Sequence, residues 1–158
     1  MEPIKSQRAI PIVLVSVAAA LLIARIAMHF MTPGAALSND LVRWVALEDA
    51  GRLAVSSRKP ILIDFTADWC APCHVLDAEV FRDAAMAKEI NARFVAVRVI
   101  DRKREEGRNE SMIAQLEQRY GVTAFPTVLI LDANGLERAR MEGYGGREQF
   151  QRVMESVR

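Results

Sequence analysis

The chain has 158 residues, of which 51% are hydrophobic and 26% are charged, and its formal net charge is +1. This composition is typical of one globular domain with an appendage and excludes a largely disordered chain. Three basic residues and one acidic residue leave a net charge of +2 on residues 1–38, so the remainder carries −1. Because a near-neutral domain has no electrostatic basis for binding nucleic acid, we expect no nucleic-acid partner.

The first feature along the chain is an apolar run from Ala9 to Met31 that contains one charged residue, Arg25. A helix that spans a bilayer needs about 20 such residues, and basic residues before the run favour a cytoplasmic N-terminus. We therefore predict a cytoplasmic segment over residues 1–9, a transmembrane signal-anchor helix over residues 10–31 and a linker over residues 32–40. The domain that follows, residues 41–158, would be exported.

A cleaved signal peptide is the alternative interpretation of the same run. Arg25 limits the uninterrupted apolar stretch to Ile10–Ala24, and small residues suited to cleavage follow at Pro33 to Leu37. The protein would then be secreted. We favour the anchor because the whole run exceeds the roughly 7–15 residues that are typical of a signal-peptide core.

The domain is predicted to alternate helices and strands. The predicted elements are a helix that starts at Leu41 and ends before Pro60, a strand at 61–67, a helix from Cys70 to about Ile90, a strand at 93–101, a helix at 111–120, a hairpin of strands at 127–132 and 137–144, and a helix at 146–158. Asn134 and Gly135 favour the tight turn of the hairpin. This order predicts an α/β domain with a mixed central sheet covered by helices on both faces.

Residues 101–110, "DRKREEGRNE", form the densest run of charges in the chain. The run mixes both signs, which favours a solvated loop over a surface that docks a partner. We therefore expect this segment to be exposed.

The motif with the clearest chemistry is "WCAPCH", from Trp69 to His74. Cys-x-x-Cys-His is the attachment signature of a c-type haem, whereas Cys-x-x-Cys after a strand is typical of a dithiol redox site. Haem needs a helical fold and a distal ligand besides His74, and the segment after the motif is rich in strands. A closed zinc site needs four ligands, and the domain offers only Cys70, Cys73 and His74. We therefore expect no metal and no cofactor.

A dithiol site explains the position of both cysteines. Pro72 is tolerated in the first turn of a helix, so Cys70 would lie at a helix N-terminus, which stabilises a thiolate and lowers its pKa. Cys70 is then the nucleophile. Cys73, one turn later and expected to lie deeper, would resolve a mixed disulfide at Cys70. A static disulfide is the alternative, but the loop that it closes is too small to stabilise the chain much.

Asp64 is an acidic residue within the apolar strand at residues 61–67. Because an ionised carboxylate is costly to bury, its pKa should rise, and we expect it to act as general acid and base for Cys73. The alternative is that Asp64 lies at an open sheet edge and is merely solvated.

A proline begins a strand that otherwise has the pattern of a central one, in "AFPT", Ala124 to Thr127. Because proline cannot donate to a strand ladder, one interpretation is a cis Phe125–Pro126 bond beside a binding surface, and the other is a trans proline on an edge strand. The cis form would leave backbone groups free to pair with an extended substrate.

With these motifs, the sequence from about Leu41 to Arg158 resembles the thioredoxin family, and most closely the C-terminal thioredoxin-like domain of DsbD-type thiol:disulfide interchange proteins. The resemblance rests on "DFTADWCAPC", "FPTVLILDANG" and "EGYGG" in this order, which is far more specific than Cys-x-x-Cys alone. It implies a thioredoxin fold with the following site: Cys70 and Cys73 as the redox pair, Asp64 as the buried carboxylate, Trp69 as the aromatic cover, and Pro126 as the cis-proline that faces the disulfide, with Phe125 beside it at the substrate-binding surface.

The sequence departs from the family pattern at the motif itself. Ala71 and Pro72 stand where typical thioredoxins have Gly-Pro, and His74 stands where they usually have Lys. A protonated imidazole at His74 would favour the thiolate and raise the reduction potential. These three residues are therefore expected to modulate the redox pair.

The resemblance implies a thiol:disulfide oxidoreductase, anchored by a single pass in a bacterial inner membrane, with its catalytic domain in the periplasm. We expect it to reduce disulfides of exported proteins. DsbD-type domains belong to a larger membrane protein, whereas this chain has one predicted span, so a separate membrane or periplasmic thiol donor is implied. The alternative is a client-binding or chaperone-like protein in metalloprotein or cytochrome c maturation, in which redox turnover is incidental.

Overall fold

The computed structural model describes residue 21 and residues 40–157. The predicted cytoplasmic segment, transmembrane helix and linker therefore lie almost entirely outside the described residues. In the part of the chain that is described, no helix is both long enough and apolar enough to cross a membrane.

Residues 40–157 form a five-stranded sheet with helices on both faces. In chain order the elements are β1 (Trp44–Val45), α1 (Leu47–Ser57), β2 (Ile61–Ala67), α2 (Ala71–Leu76), a π-helical turn (Asp77–Phe81), α3 (Ala84–Arg93), β3 (Val95–Asp101), α4 (Lys103–Glu106), α5 (Ser111–Tyr120), β4 (Thr127–Leu131), β5 (Glu137–Glu142) and α6 (Arg147–Glu155). The strand order is β1-β3-β2-β4-β5. Strands β1 and β2 run parallel to β3, whereas β4 runs antiparallel to β2 and β5. The predicted α/β class and mixed sheet are confirmed.

The predicted helix from Leu41 is wrong at its start. Trp44 and Val45 form the short strand β1, and α1 begins only at Leu47. Trp44 packs into one core of the domain, whereas Val45 and Leu47 pack into the other. A strand of two residues is too short for its alternation to be distinguished from the start of a helical pattern.

The predicted helix from Cys70 to Ile90 is divided into three parts. The π-helical turn follows α2 without a gap, and α3 starts anew after Asp83, whose side chain accepts a hydrogen bond from the backbone amide of Met86 at 3.0 Å. A π-turn adds one residue to a helix, and here it buries both Val80 and Phe81. The apolar positions of all three parts face the same core, so the sequence pattern does not reveal the breaks.

Two cores lie on opposite faces of the sheet. Helices α2, α3 and α6 and the π-helical turn cover one face, and α1 and α5 cover the other. In β2, Leu62 belongs to the first core, whereas Ile61, Ile63 and Phe65 belong to the second. Because successive side chains of a strand point to opposite faces, Asp64 lies on the face of Leu62, which is the face that α2 covers.

The charged segment at residues 101–110 is more ordered than the solvated loop that the sequence predicts. Most of its residues are exposed, as expected. However, α4 forms within it, and the Asn109 side chain donates to the carboxylates of Asp101 and Glu117. Because Asp101 at the end of β3 is 6% exposed, these bonds anchor the segment to the sheet.

Candidate functional site

Cys70 and Cys73 form a disulfide at the N-terminus of α2, with Cα atoms 5.3 Å apart. Cys70 is the N-cap residue, and its Sγ accepts a hydrogen bond from the backbone amide of Cys73 at 3.2 Å. Pro72 lies in the first turn, where its missing N–H costs no helix bond. The predicted position of Cys70 at a helix N-terminus is confirmed, and this amide would stabilise a thiolate there in the reduced form.

Both cysteines are buried in this oxidised form, with Cys70 2% and Cys73 5% exposed. The prediction that Cys73 lies deeper than Cys70 is therefore wrong here. The two bonded sulfurs share one environment, because Ala67 and Phe125 pack against the pair as a single cluster. The disulfide is consequently shielded from solvent.

The bond between Phe125 and Pro126 is cis, as one of the two interpretations predicts. The edge-strand interpretation is wrong, since β4 begins at Thr127 and lies between β2 and β5. Pro126 is buried and Phe125 is half-buried. Within residues 40–157, the backbone amide and carbonyl of Phe125 have no hydrogen-bond partner. These groups can therefore bind an extended peptide.

An exposed aromatic surface lies beside the disulfide. The Trp69 side chain directly precedes Cys70 and is 45% exposed. Its ring meets the Phe125 ring edge to face, with centroids 5.9 Å apart, and the Arg104 guanidinium lies 5.3 Å from the Trp69 centroid. The structure thus brings the predicted substrate-binding residues together and adds a cation to them.

Asp64 is 2% exposed and lies on a strand that is paired on both sides, so the open-edge interpretation is wrong. Its Oδ2 accepts a hydrogen bond from Arg98 Nε at 3.0 Å, whereas its Oδ1 is buried without a partner among the described residues. Burial raises the pKa of Asp64 to about 6, against the opposing effect of the Arg98 charge. The predicted rise of this pKa is confirmed.

Arg98 is the residue of this site that the sequence reasoning misses. Its guanidinium donates to Asp77 Oδ1 at 2.8 Å, lies 3.6 Å from Asp40 Oδ2 and stacks 4.2 Å from the centroid of Trp44. Arg98 and Asp64 are direct neighbours in the parallel pairing of β2 and β3. The available signal was Arg98, a basic residue in the interior of the predicted strand at 93–101, opposite in charge to the single acidic residue of the strand at 61–67.

Asp77 connects the cysteine helix to this ion-pair cluster. The backbone amide of Asp77 donates to the carbonyl of Cys73, which places Cys73 one helical turn before Asp77. Arg98 then joins Asp77 to Asp64. The structure therefore places Asp64 on the sheet face beneath the helix that carries Cys73, and no hydrogen bond among residues 40–157 links the two side chains directly. A proton-transfer role for Asp64 stays a prediction.

The residues expected to modulate the pair lie on the surface. Ala71, Pro72 and His74 are all exposed. His74 Nε2 lies 2.9 Å from the backbone carbonyl of Asp68, so the imidazole is held at the rim of the site by the main chain. Among the described residues, no group of three or more His, Cys, Asp or Glu side chains could hold a metal ion.

The sequence profile of the thioredoxin-like domain matches residues 47–158. Among curated proteins, the thiol:disulfide interchange protein DsbD of Vibrio vulnificus (strain CMCP6) is 32% identical over 94 residues. That match covers 58% of this chain but only 15% of DsbD, so the chain spans a small part of this relative.

Two solved structures share the fold. The DsbH oxidoreductase has a TM-score of 0.63 at 21% identity, and the match covers 80% of this chain and 92% of that chain. The C-terminal domain of Neisseria meningitidis DsbD in the oxidised form has a TM-score of 0.54 at 22% identity, covering 68% of this chain and 87% of that chain. Together with the sequence matches, these findings confirm the predicted resemblance.

Asp64→Asn should raise the free energy of unfolding more at about pH 7.5 than at about pH 4. The folded-state pKa of about 6 lies above the value of 3.8 for an unperturbed carboxyl. The protonated group therefore stabilises the fold fully at low pH, and this contribution is lost as the pH rises through about 6. The difference in the free energy of unfolding between the variant and the wild type should change by up to about 3 kcal/mol between the two pH values. Urea unfolding of the oxidised protein measures this difference.

Glu137→Gln provides a control whose stability should change with pH in the opposite direction. The hydrogen bond from Arg140 lowers the pKa of Glu137, so its contribution to stability is present at neutral pH and is lost as the pH falls through the folded-state pKa. This variant should therefore lose more stability at the higher pH. A difference between Asp64→Asn and wild type that does not change with pH would contradict the raised pKa of Asp64.

Proposed function

Because the chain belongs to the family of thioredoxin-like domains, we propose that it is a membrane-tethered thiol:disulfide oxidoreductase that reduces disulfides of exported proteins. One observation carries the proposal. The Cys70–Cys73 disulfide caps a helix N-terminus and packs against Phe125 of the cis Phe125–Pro126 bond. This arrangement joins a stabilised nucleophile to a surface with free backbone groups.

The first step is attack by Cys70. In the reduced protein, the Cys70 thiolate is stabilised by the backbone amide of Cys73 and by the positive end of α2. It attacks one sulfur of a client disulfide, the client S–S bond breaks, and the other client sulfur leaves as a thiolate. The product is a mixed disulfide between Cys70 and the client.

The second step is resolution by Cys73. The Cys73 thiol first loses its proton, and the Asp64 carboxylate, whose pKa is about 6, is mostly ionised at neutral pH and can accept it. The Cys73 thiolate then attacks Cys70 Sγ, which releases the second client thiolate and forms the Cys70–Cys73 disulfide. Two electrons have passed from the dithiol to the client.

Client recognition uses the main chain at Phe125. Its free amide and carbonyl can pair with an extended client segment, as in the addition of a strand to a sheet edge. Such pairing between main chains does not depend on the client side chains, so it suits an enzyme that acts on many exported proteins. The half-buried Phe125 ring would keep the client cysteine close to Cys70.

Regeneration requires a second protein. The chain has two cysteines, and both belong to the redox pair, so no other thiol of this chain can reduce the disulfide. We propose that the donor is a separate membrane or periplasmic dithiol protein. The choice of reduction over oxidation rests on the resemblance to DsbD-type domains.

The tether is tested by labelling and by N-terminal sequencing. The apolar run at residues 10–31 should retain the protein in the membrane with the domain outside the cytoplasm. In the Cys73→Ala variant, once trapped clients have been released with dithiothreitol and the reductant washed away, a membrane-impermeant maleimide should label Cys70 in intact cells. The protein purified from membranes should keep its original N-terminus. Labelling only after lysis would contradict periplasmic exposure, and an N-terminus near Pro33 to Leu37 would support the secreted form instead.

Cys73→Ala should trap clients as covalent complexes through Cys70, because the resolving thiol is missing. These complexes should appear on non-reducing gels of the full chain expressed in its host and should disappear on addition of dithiothreitol. The matched control is the Cys70→Ala/Cys73→Ala double variant, which should trap nothing. Equal recovery of clients with the double variant would contradict the enzyme and favour the chaperone-like alternative.

A further inference from the structure

Arg104 belongs to the charged surface segment at residues 101–110, yet it lies close to the redox motif. It lies in α4, and its guanidinium stands 5.3 Å from the centroid of the Trp69 ring. Trp69 directly precedes Cys70, and its ring contacts that of Phe125. A cation therefore lies beside the aromatic surface that borders Cys70.

The segment that carries Arg104 is held in place on both sides. The Asn109 side chain bonds Asp101 and Glu117, and its Oδ1 accepts a hydrogen bond from the backbone amide of Arg102 at 2.7 Å. The Arg102 side chain reaches Asp68, the residue before Trp69, at 3.4 Å. These contacts fix the main chain immediately before Arg104 relative to the redox motif.

The charge of Arg104 is free to bind a client. Arg102 has two acidic partners, Asp68 at 3.4 Å and Glu106 at 3.8 Å. Among residues 40–157, by contrast, no carboxylate lies within ion-pair distance of Arg104, and its side chain is exposed. Among these residues, its guanidinium has no side-chain hydrogen bond and lies over the Trp69 ring, which holds a cation without neutralising it.

We propose that Arg104 is a specificity-determining residue that selects clients with an acidic side chain next to the reactive cysteine. The Trp69 ring contacts Phe125, and Trp69 directly precedes Cys70. A client that pairs with the backbone of Phe125 and presents its disulfide to Cys70 would therefore place the neighbour of its reactive cysteine over Trp69. A carboxylate there would meet the Arg104 guanidinium, whereas a lysine would be repelled. This inference rests on the proposed thiol-disulfide exchange.

The test uses the full chain in its reduced form and three synthetic peptides. The peptides share one intramolecular disulfide and differ only in the residue before the first cysteine, which is Glu, Gln or Lys. Each rate of disulfide reduction is divided by the rate of the same peptide with dithiothreitol, which removes the intrinsic effect of the neighbour on disulfide reactivity. At low ionic strength, the wild type should prefer the Glu peptide over the Lys peptide by about two- to fivefold, the effect of one exposed ion pair.

Arg104→Gln should bring this ratio close to one, and Arg104→Glu should invert it. Arg108→Gln is the matched control, because it removes one positive charge from the same segment but leaves Arg104 in place over Trp69. This variant should keep the preference for the Glu peptide. A wild-type ratio of one, or equal loss of the preference in the Arg108→Gln variant, would overturn the assignment of Arg104. Failure to reduce any of the three peptides would instead overturn the proposed exchange itself.

Discussion

The ion pair between Asp64 and Arg98 is the interaction on which the redox site depends. Asp64 lies in the middle of the central strand, where an ionised carboxylate would be too costly without a partner. Arg98 supplies that partner from the adjacent position of β3 and is itself held by Asp77 and by the Trp44 ring. The pair remains incomplete, since Asp64 Oδ1 has no partner among the described residues. Burial, against the opposing charge of Arg98, raises the pKa of the Asp64 carboxyl to about 6.

This environment suits the proton-transfer role that we propose for Asp64. A fully satisfied carboxylate would stay ionised, and a carboxyl without any cation would stay protonated at neutral pH. The intermediate environment of Asp64 permits both states near neutrality. Because Asp77 follows Cys73 by one helical turn and shares Arg98 with Asp64, the same cluster also fixes the cysteine helix over the sheet.

The two cysteines depend on different parts of the fold. Cys70 depends on the end of α2, where a backbone amide meets its sulfur, and on the aromatic surface of Trp69 and Phe125. Cys73 lies one helical turn before Asp77, which Arg98 joins to Asp64, the proposed proton acceptor. The surface residues that would select the client, as proposed for Arg104, are therefore separate from the interior residues that would support resolution by Cys73.

The features that the sequence predicts are those whose signal is local. The apolar strand with Asp64 and the helix start at Cys70 and Pro72 each follow from a short segment, whereas the segment at Pro126 leaves both the cis and the trans form open. Arg98 could not be assigned, because its role depends on the register between two strands, which no single segment contains. The same limit applies to Arg104, whose contact with Trp69 joins positions that are 35 residues apart in the chain.

The sequence does not predict the short or irregular elements, for a different reason. The strand β1 has two residues, and the π-helical turn inserts one residue into an otherwise regular apolar pattern. In the π-helical turn, the buried side chains face the core that a continuous helix would reach, whereas the alternation of β1 directs Trp44 and Val45 into opposite cores. Hydrophobic periodicity reports which side chains are buried, and it cannot report how the backbone bends to bury them.

The reduction potential of the Cys70–Cys73 couple in the full chain tests the central claim most directly. The protein would be equilibrated in dithiothreitol and glutathione buffers at about pH 7, and the reduced fraction would be quantified by alkylation and mass spectrometry. A reductant of this family should show a reversible two-electron couple near about −270 mV. A value near about −120 mV, which is typical of a strong periplasmic oxidant, would contradict the proposed direction, and the absence of a reversible couple would contradict the oxidoreductase itself.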